Sequence, residues 1–259
     1  MDLKCAMINL PEASDRAWVD YAVSCGLGYI EFCPRYYPQG TEDSIQYALE
    51  KGLQVSIHAH HGPNNIIDTN IENRIRSVEQ IKYCIDLAQK YQLGVVTFHP
   101  GRLSSEEEST DEKWIQLMNA VTDIAAYAKN KQVYVGLENM ELRKYELVFT
   151  IDDLNRFAHL AENNPYFGVT IDFAHFTSHG IFAPDLNSLK LPVYNVHLSQ
   201  CIAGKMHCPL TAPGGVVRVE DAYTILNRYG YNGRIVFEMR SEYRESMELL
   251  RKIQQSQEK

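Results

Sequence analysis

Six short apolar runs in this chain each stop on a side chain able to bind a metal. Residues 55–57 precede His58, 95–98 precede His99, 134–137 precede Glu138, 169–171 precede Asp172, 194–196 precede His197 and 235–237 precede Glu238. Runs rich in β-branched and apolar residues read as strands buried on both faces, the condition of a parallel sheet covered by helices. Ligands bind such sheets beyond the carboxyl ends of the strands, so a His or carboxylate placed there is placed for chemistry.

Strand-like runs recur along the chain near residues 4–9, 28–33, 53–58, 94–99, 133–138, 168–172, 193–198 and 234–238. The stretches 15–25, 41–51, 71–91, 110–129, 151–162, 219–229 and 241–254 carry the spacing of amphipathic helices. Cap residues introduce several of them, at Ser14-Asp15, Thr41-Glu42 and Thr150 before Asp152-Asp153, and Gly26, Gly52 and Gly230 mark stops. Residues 175–191 predict only a loop with a short helix. No Pro-, Gly- or Ser-rich linker divides the 259 residues. The alternation predicts an α/β fold, a (β/α)8 TIM barrel forming a single domain over 1–259, although pattern alone also admits an open doubly wound sheet.

Acidic residues outnumber basic ones by 33 to 25, a formal charge of −8, which argues against a broad nucleic-acid-binding surface. The six cysteines lack CxxC spacing and sit mostly in apolar runs, so reduced buried thiols and a cytoplasmic protein are expected. The N-terminus enters a strand-like run at once, so neither a signal peptide nor a membrane span is predicted.

In a closed barrel Glu138, Asp172, His197 and Glu238 converge on one mouth. Three carboxylates crowded together repel one another unless a cation joins them, and this donor set suits Mn²⁺, Zn²⁺, Co²⁺ or Mg²⁺. His58 and His99 are candidates for a second metal together with Glu138. His175 and His207 are candidates for a third metal or for contacts to substrate oxygens. Glu31 ends the second strand and is a candidate for a substrate hydroxyl, and Arg102 for a phosphate or carboxylate. His60, His61, His159 and His179 are set aside as loop or helix neighbours.

The motifs Ser56-Ile57-His58, Phe98-His99-Pro100-Gly101, Leu137-Glu138-Asn139, Ile171-Asp172-Phe173-Ala174-His175, Val196-His197-Leu198 and Phe237-Glu238-Met239 together resemble the xylose isomerase-like barrel superfamily. That superfamily includes sugar (phosphate) isomerases and epimerases and endonuclease IV. The epimerase branch implies one divalent metal on Glu138, Asp172, His197 and Glu238. It also implies Glu138 and Glu238 as the catalytic acid/base pair acting through an enediolate, with His175 and Lys205 steadying substrate oxygens and His207 nearby. The nuclease branch implies three zinc ions and an Asp two residues before His207, where this chain has Lys205. A lysine cannot replace an anionic ligand. The expected partner is therefore a small sugar or sugar-phosphate substrate, with a homo-oligomer left open. A dehydratase, a zinc-dependent phosphodiesterase and a non-catalytic metal- or sugar-binding barrel stand as alternatives.

Overall fold

A computed structural model describes residues 4–9, 16–34, 39–59 and 64–257. Eight parallel strands close into a barrel in the order β1-β10-β7-β6-β5-β4-β3-β2. They are β1 (Lys4–Asn9), β2 (Tyr29–Phe32), β3 (Gln54–His58), β4 (Val96–Phe98), β5 (Val135–Glu138), β6 (Phe167–Asp172), β7 (Val193–Leu198) and β10 (Arg234–Phe237). The pairing of β1 with β10, Lys4 opposite Arg234 through Met7 opposite Phe237, closes the ring. Around it stand α1 (Arg16–Ser24), α2 (Gln39–Glu50), α3 (Ile71–Tyr91), α4 (Thr110–Lys131), α5 (Ile151–Asn155), α6 (Ala158–Ala161), α7 (Phe173–Ser178), α8 (Val219–Tyr229) and α9 (Tyr243–Gln257). No helix among the described residues is long and apolar enough to cross a membrane.

Local chemistry explains most boundaries. Asn70 caps α3 by accepting from the Glu72 and Asn73 amides, and Ser109 caps α4 by accepting from Glu112. Gln92 and Gln132 end these helices in the left-handed conformation, the position glycine takes after α8 at Gly230. Ser14-Asp15 and His60-His61 lie outside the described residues.

The structure departs from the sequence reading in two places. The single helix over 151–162 is broken: after a Thr150/Asp153 capping box, Phe157 takes φ −95° and ψ 2°, and the turn tightens to i→i+3 bonds. The break lets Leu154 and Phe157 both enter the core. The second is an antiparallel hairpin, β8 (Gln200–Ile202) and β9 (Lys205–Cys208), which follows β7 and overhangs the barrel mouth. Ala203 and Gly204, both with positive φ, form its turn.

Candidate metal centre

Strand alternation fixes which side chains enter the barrel, because residues two apart share a face. The upper inward layer holds His58, His99, Glu138, Asp172, His197 and Glu238. Two residues back on the same strands lie Ser56, Thr97, Gly136, Thr170 and Asn195, with Val236 behind Glu238. Most barrels fill this level with Val, Ile and Leu. Here it is largely polar and fully buried. The Thr97 and Thr170 hydroxyls lie 2.9 Å apart, and Asn195 Nδ2 donates to Thr97 Oγ1 at 3.1 Å. Gly136 is required: a Cβ there would stand 2.4 Å from Thr170 Oγ1.

Glu31, expected at a substrate hydroxyl, belongs to this lower layer. Its strand register pairs it with Ser56, not with His58. The carboxylate is completely buried and accepts from Ser56 Oγ (2.9 Å), Asn195 Nδ2 (2.8 Å) and His197 Nε2 (2.9 Å). Burial pushes its pKa up, but the His197 charge and these donors hold it below the usual range. Because Nε2 of His197 is committed to Glu31, Nδ1 is turned into the upper layer.

There, His197 Nδ1 lies 2.8 Å from both Glu138 Oε1 and Glu238 Oε2. One donor atom from each of Glu138, Asp172, His197 and Glu238 can be chosen so that all lie within 4.8 Å of one another. Asp172 Oδ2 and Glu238 Oε2 are buried without a hydrogen-bond partner; the nearby His197 Nδ1 lacks hydrogen-bonding geometry to the latter. A buried anionic oxygen without a donor is unfavourable unless a cation faces it. Three carboxylates and one imidazole, with two orphaned oxygens, fit a hard or borderline divalent ion.

Electrostatics agree with that fit. Burial disfavours the charge on His197, yet Glu138, Glu31 and Glu238 raise its pKa well above 6.5. Burial also raises Glu138 and Glu238, but imidazole charges hold both well below 4.5. Asp172, with burial unopposed by any donor to Oδ2, is pushed up to about 6.

His58 and His99 stand behind Glu138. Their Nε2 atoms lie 3.2 and 3.0 Å from Glu138 Oε2, and the His58 ring stacks on His197. Both Glu138 oxygens are therefore occupied. His175 Nδ1 meets the Asn139 carbonyl at 2.7 Å, while its Nε2 is buried without a partner, 3.8 Å from Asp172 Oδ2. Its pKa rises to about 8 because Asp172 and other carboxylates outweigh burial. His207 has positive φ and sets Nδ1 3.1 Å from the Glu238 carbonyl oxygen.

A cleft of about 550 Å³ opens over the cluster. Its floor is His99, His175, His207 and Glu238, and its rim is Asn64, Arg102, Glu141, Arg143 and Glu146. Glu238 reaches it and Glu138, fully buried, does not. Lys205, expected at substrate oxygens, sits exposed after the hairpin turn and lines a neighbouring groove with Gly204 and Arg240, outside this cleft. Sequence reading missed Asn139, which clasps Asp172 through Nδ2 to its carbonyl (3.0 Å) and through its own Oδ1 to its amide (2.8 Å). Glu141, Arg143 and Glu146 were also missed. Of the histidines set aside, His159 lies in α6, and His179 stacks on Phe149. All six cysteines are buried, and none is joined in a disulfide.

A closed eight-stranded parallel barrel with a buried imidazole–carboxylate cluster at its carboxyl mouth defines a class of TIM barrel. Within it, this chain belongs to the xylose isomerase-like TIM barrel family, whose profile matches residues 19–253. It is 24% identical to the protein MJ1188 of Methanocaldococcus jannaschii over 187 residues, 72% of this chain and 67% of that one. A D-tagatose 3-epimerase-like protein superposes with a TM-score of 0.81 at 18% identity, covering 98% of this chain and 97% of its own. The apo form of the Escherichia coli 3-keto-D-glucoside 4-epimerase YcjR gives 0.76 at 17% identity, covering 97% and 100%. At these identities the structural likeness is one of fold.

Proposed function

We propose that this chain is a divalent-metal-dependent isomerase or epimerase of a small sugar or sugar-like carbonyl compound, working by proton abstraction beside the carbonyl. The observation that carries the reading is the convergence of Glu138, Asp172, His197 and Glu238 under a cleft, with two buried carboxylate oxygens lacking donors. The names of the two epimerase-like neighbours point the same way.

A divalent ion held by these four residues supplies Lewis-acid polarisation, which acidifies the C–H next to a bound carbonyl. Glu238, the cluster carboxylate that reaches the cleft, takes or returns the carbon-bound proton. Glu138 is the second acid/base group, and its two occupied oxygens mean that it exchanges a proton only by loosening from His58 and His99. His175 offers Nε2–H toward the floor, a donor for the oxygen that gains charge as the enediolate forms. Burial of the whole cluster strengthens each of these interactions by excluding water.

The test is proton exchange in D₂O at carbons beside the carbonyl, over a panel of ketoses with the metal-loaded enzyme. Exchange abolished by E138Q, with the barrel still folded, is the expected result; undiminished exchange in that variant refutes the assignment. His58 and His99, both on Glu138 Oε2, give a multi-zinc phosphodiesterase its own support. That reading requires about three zinc per chain and nicking of an abasic oligonucleotide. About one metal without nicking favours the sugar enzyme.

A further inference from the structure

Beside the cleft lies a second basin, lined by Asn65, Asp68, Ser104 and Lys144 among others. Arg102, Arg143 and Glu146 line both spaces and so form the wall between them. Of the two arginines, Arg143 is spoken for: its Nη2 lies 2.7 Å from Glu141 Oε1. The Lys144 ammonium is paired with Glu106. Asp68, the acid of the second basin, accepts from the Asn70 amide at 2.8 Å and from Asn73 Nδ2 at 3.5 Å.

Arg102 differs. Its main chain is clamped on both sides by one side chain: Asn65 Oδ1 accepts its amide at 3.1 Å, and Asn65 Nδ2 donates to its carbonyl at 2.7 Å. Asn65 is itself buried. Gly101 makes the clamp possible, since its φ of +81° is left-handed and a Cβ there would stand 2.6 Å from Asn65 Oδ1. On the other side the Leu103 amide donates to the Tyr145 carbonyl at 2.9 Å, which joins the loop after β4 to the loop after β5. Among the described residues the Arg102 guanidinium has neither an ion pair nor a hydrogen bond to a protein acceptor. Glu146, the carboxylate that lines both spaces with Arg102, is pushed up to about 7 by burial, so it neutralises Arg102 only in part.

A guanidinium on a clamped main chain, only partly compensated and set between the ligand cluster and a second basin, is suited to an anion, since its planar fork matches phosphate and carboxylate oxygens. We infer that Arg102 forms an anion subsite, so that the substrate is an anionic sugar derivative, its carbonyl end at the metal cluster and its phosphate or carboxylate at Arg102. This rests on the sugar-enzyme reading above and names the substrate class that reading leaves open. The two anions share one recognition chemistry, and the test separates them.

Mn²⁺-loaded wild type and R102Q are titrated calorimetrically with D-fructose, D-fructose 6-phosphate and D-fructuronate, a neutral, a phosphate and a carboxylate probe. The expected result is that one anionic probe binds wild type at least tenfold more tightly than fructose. The gap should shrink to under threefold in R102Q, and R102K, which keeps charge but not the fork, should fall between. Whichever anion binds more tightly identifies the group. Equal binding of all three probes, no binding of either anion, or a gap that persists in R102Q overturns the inference. Thermal unfolding of R102Q at the wild-type temperature establishes that the side chain, not the fold, was removed. An Arg102-dependent anion preference without proton exchange on any ketose refutes the isomerase reading alone. Exchange on ketoses without anion preference refutes the subsite alone.

Discussion

Replacing Glu31 by Gln removes a completely buried charge beneath the candidate ligands and tests how far the proposed metal site depends on the layer beneath it. The carboxylate accepts from His197 Nε2 at 2.9 Å, and that bond turns Nδ1 toward Glu138 and Glu238. Outer-shell partners of this kind are worth roughly 10–100-fold in metal affinity, or about 1.4–2.7 kcal/mol. The amide brings a second cost. Its oxygen can accept from His197, but its NH₂ then meets Asn195 Nδ2, a donor now 2.8 Å from Glu31 Oε2. Two opposed buried donors leave one unsatisfied, which costs about 1–3 kcal/mol of folding stability. Chelator competition with Mn²⁺ and Zn²⁺ measures the first effect, and urea denaturation of the metal-free protein the second. E31Q binding either metal within twofold of wild type would show that His197 is oriented by other means and refute the reasoning.

Metal binding should release protons, because His197 is charged in the free protein and Asp172, at about 6, is partly protonated near pH 6. Apparent affinity therefore rises with pH, and calorimetric enthalpies in buffers of different ionisation heat should diverge; coincident enthalpies would contradict this. G136A drives a methyl against Thr170 Oγ1 and should cost about 1–3 kcal/mol in denaturant midpoint analysis, whereas a neutral substitution would mean that the polar layer is slack. The nearly buried Glu108 is lowered to about 2: burial opposes the shift, and Thr69, Lys113 and the Ser104 amide outweigh it. A depressed carboxylate stabilises the fold above its unfolded value and loses that contribution as pH falls from about 4.5 toward 2. Wild type should lose about 2 kcal/mol relative to E108Q between pH 6 and pH 2.5 in urea unfolding. Parallel pH curves for the two proteins would count against the ion pair.

The barrel was legible because each buried strand is short, β-branched and bounded by helical spacing, and the ligand layer because its six members end those strands. Glu31 stands apart from them for a physical reason: it too ends an apolar run, but the stagger between neighbouring strands sets it one level lower, opposite Ser56. The lower layer was spelled out two residues behind each ligand, in Ser56, Thr97, Gly136, Thr170 and Asn195, residues that look ordinary in a strand until neighbours are known. Lys205 was assigned by its place in the chain, and the hairpin that carries it outward is signalled only by Ala203-Gly204. The rim residues Arg143 and Glu146 come from a loop that no strand or helix period describes. Long-range packing of that loop against Arg102 decides where they stand.

The ring closes where the strand bearing Glu238 slots between β7 and the strand at the other end of the chain, β1. During synthesis, Glu138, Asp172 and His197 emerge long before the strand that delivers the fourth carboxylate. That last pairing spans nearly the whole sequence, the kind of contact that forms late and slowly. A nascent chain stalled before residue 234 would hold three of the four candidate ligands in an open sheet, without the fourth that completes the cluster. Under the proposed function, metal capture would report that the barrel is finished.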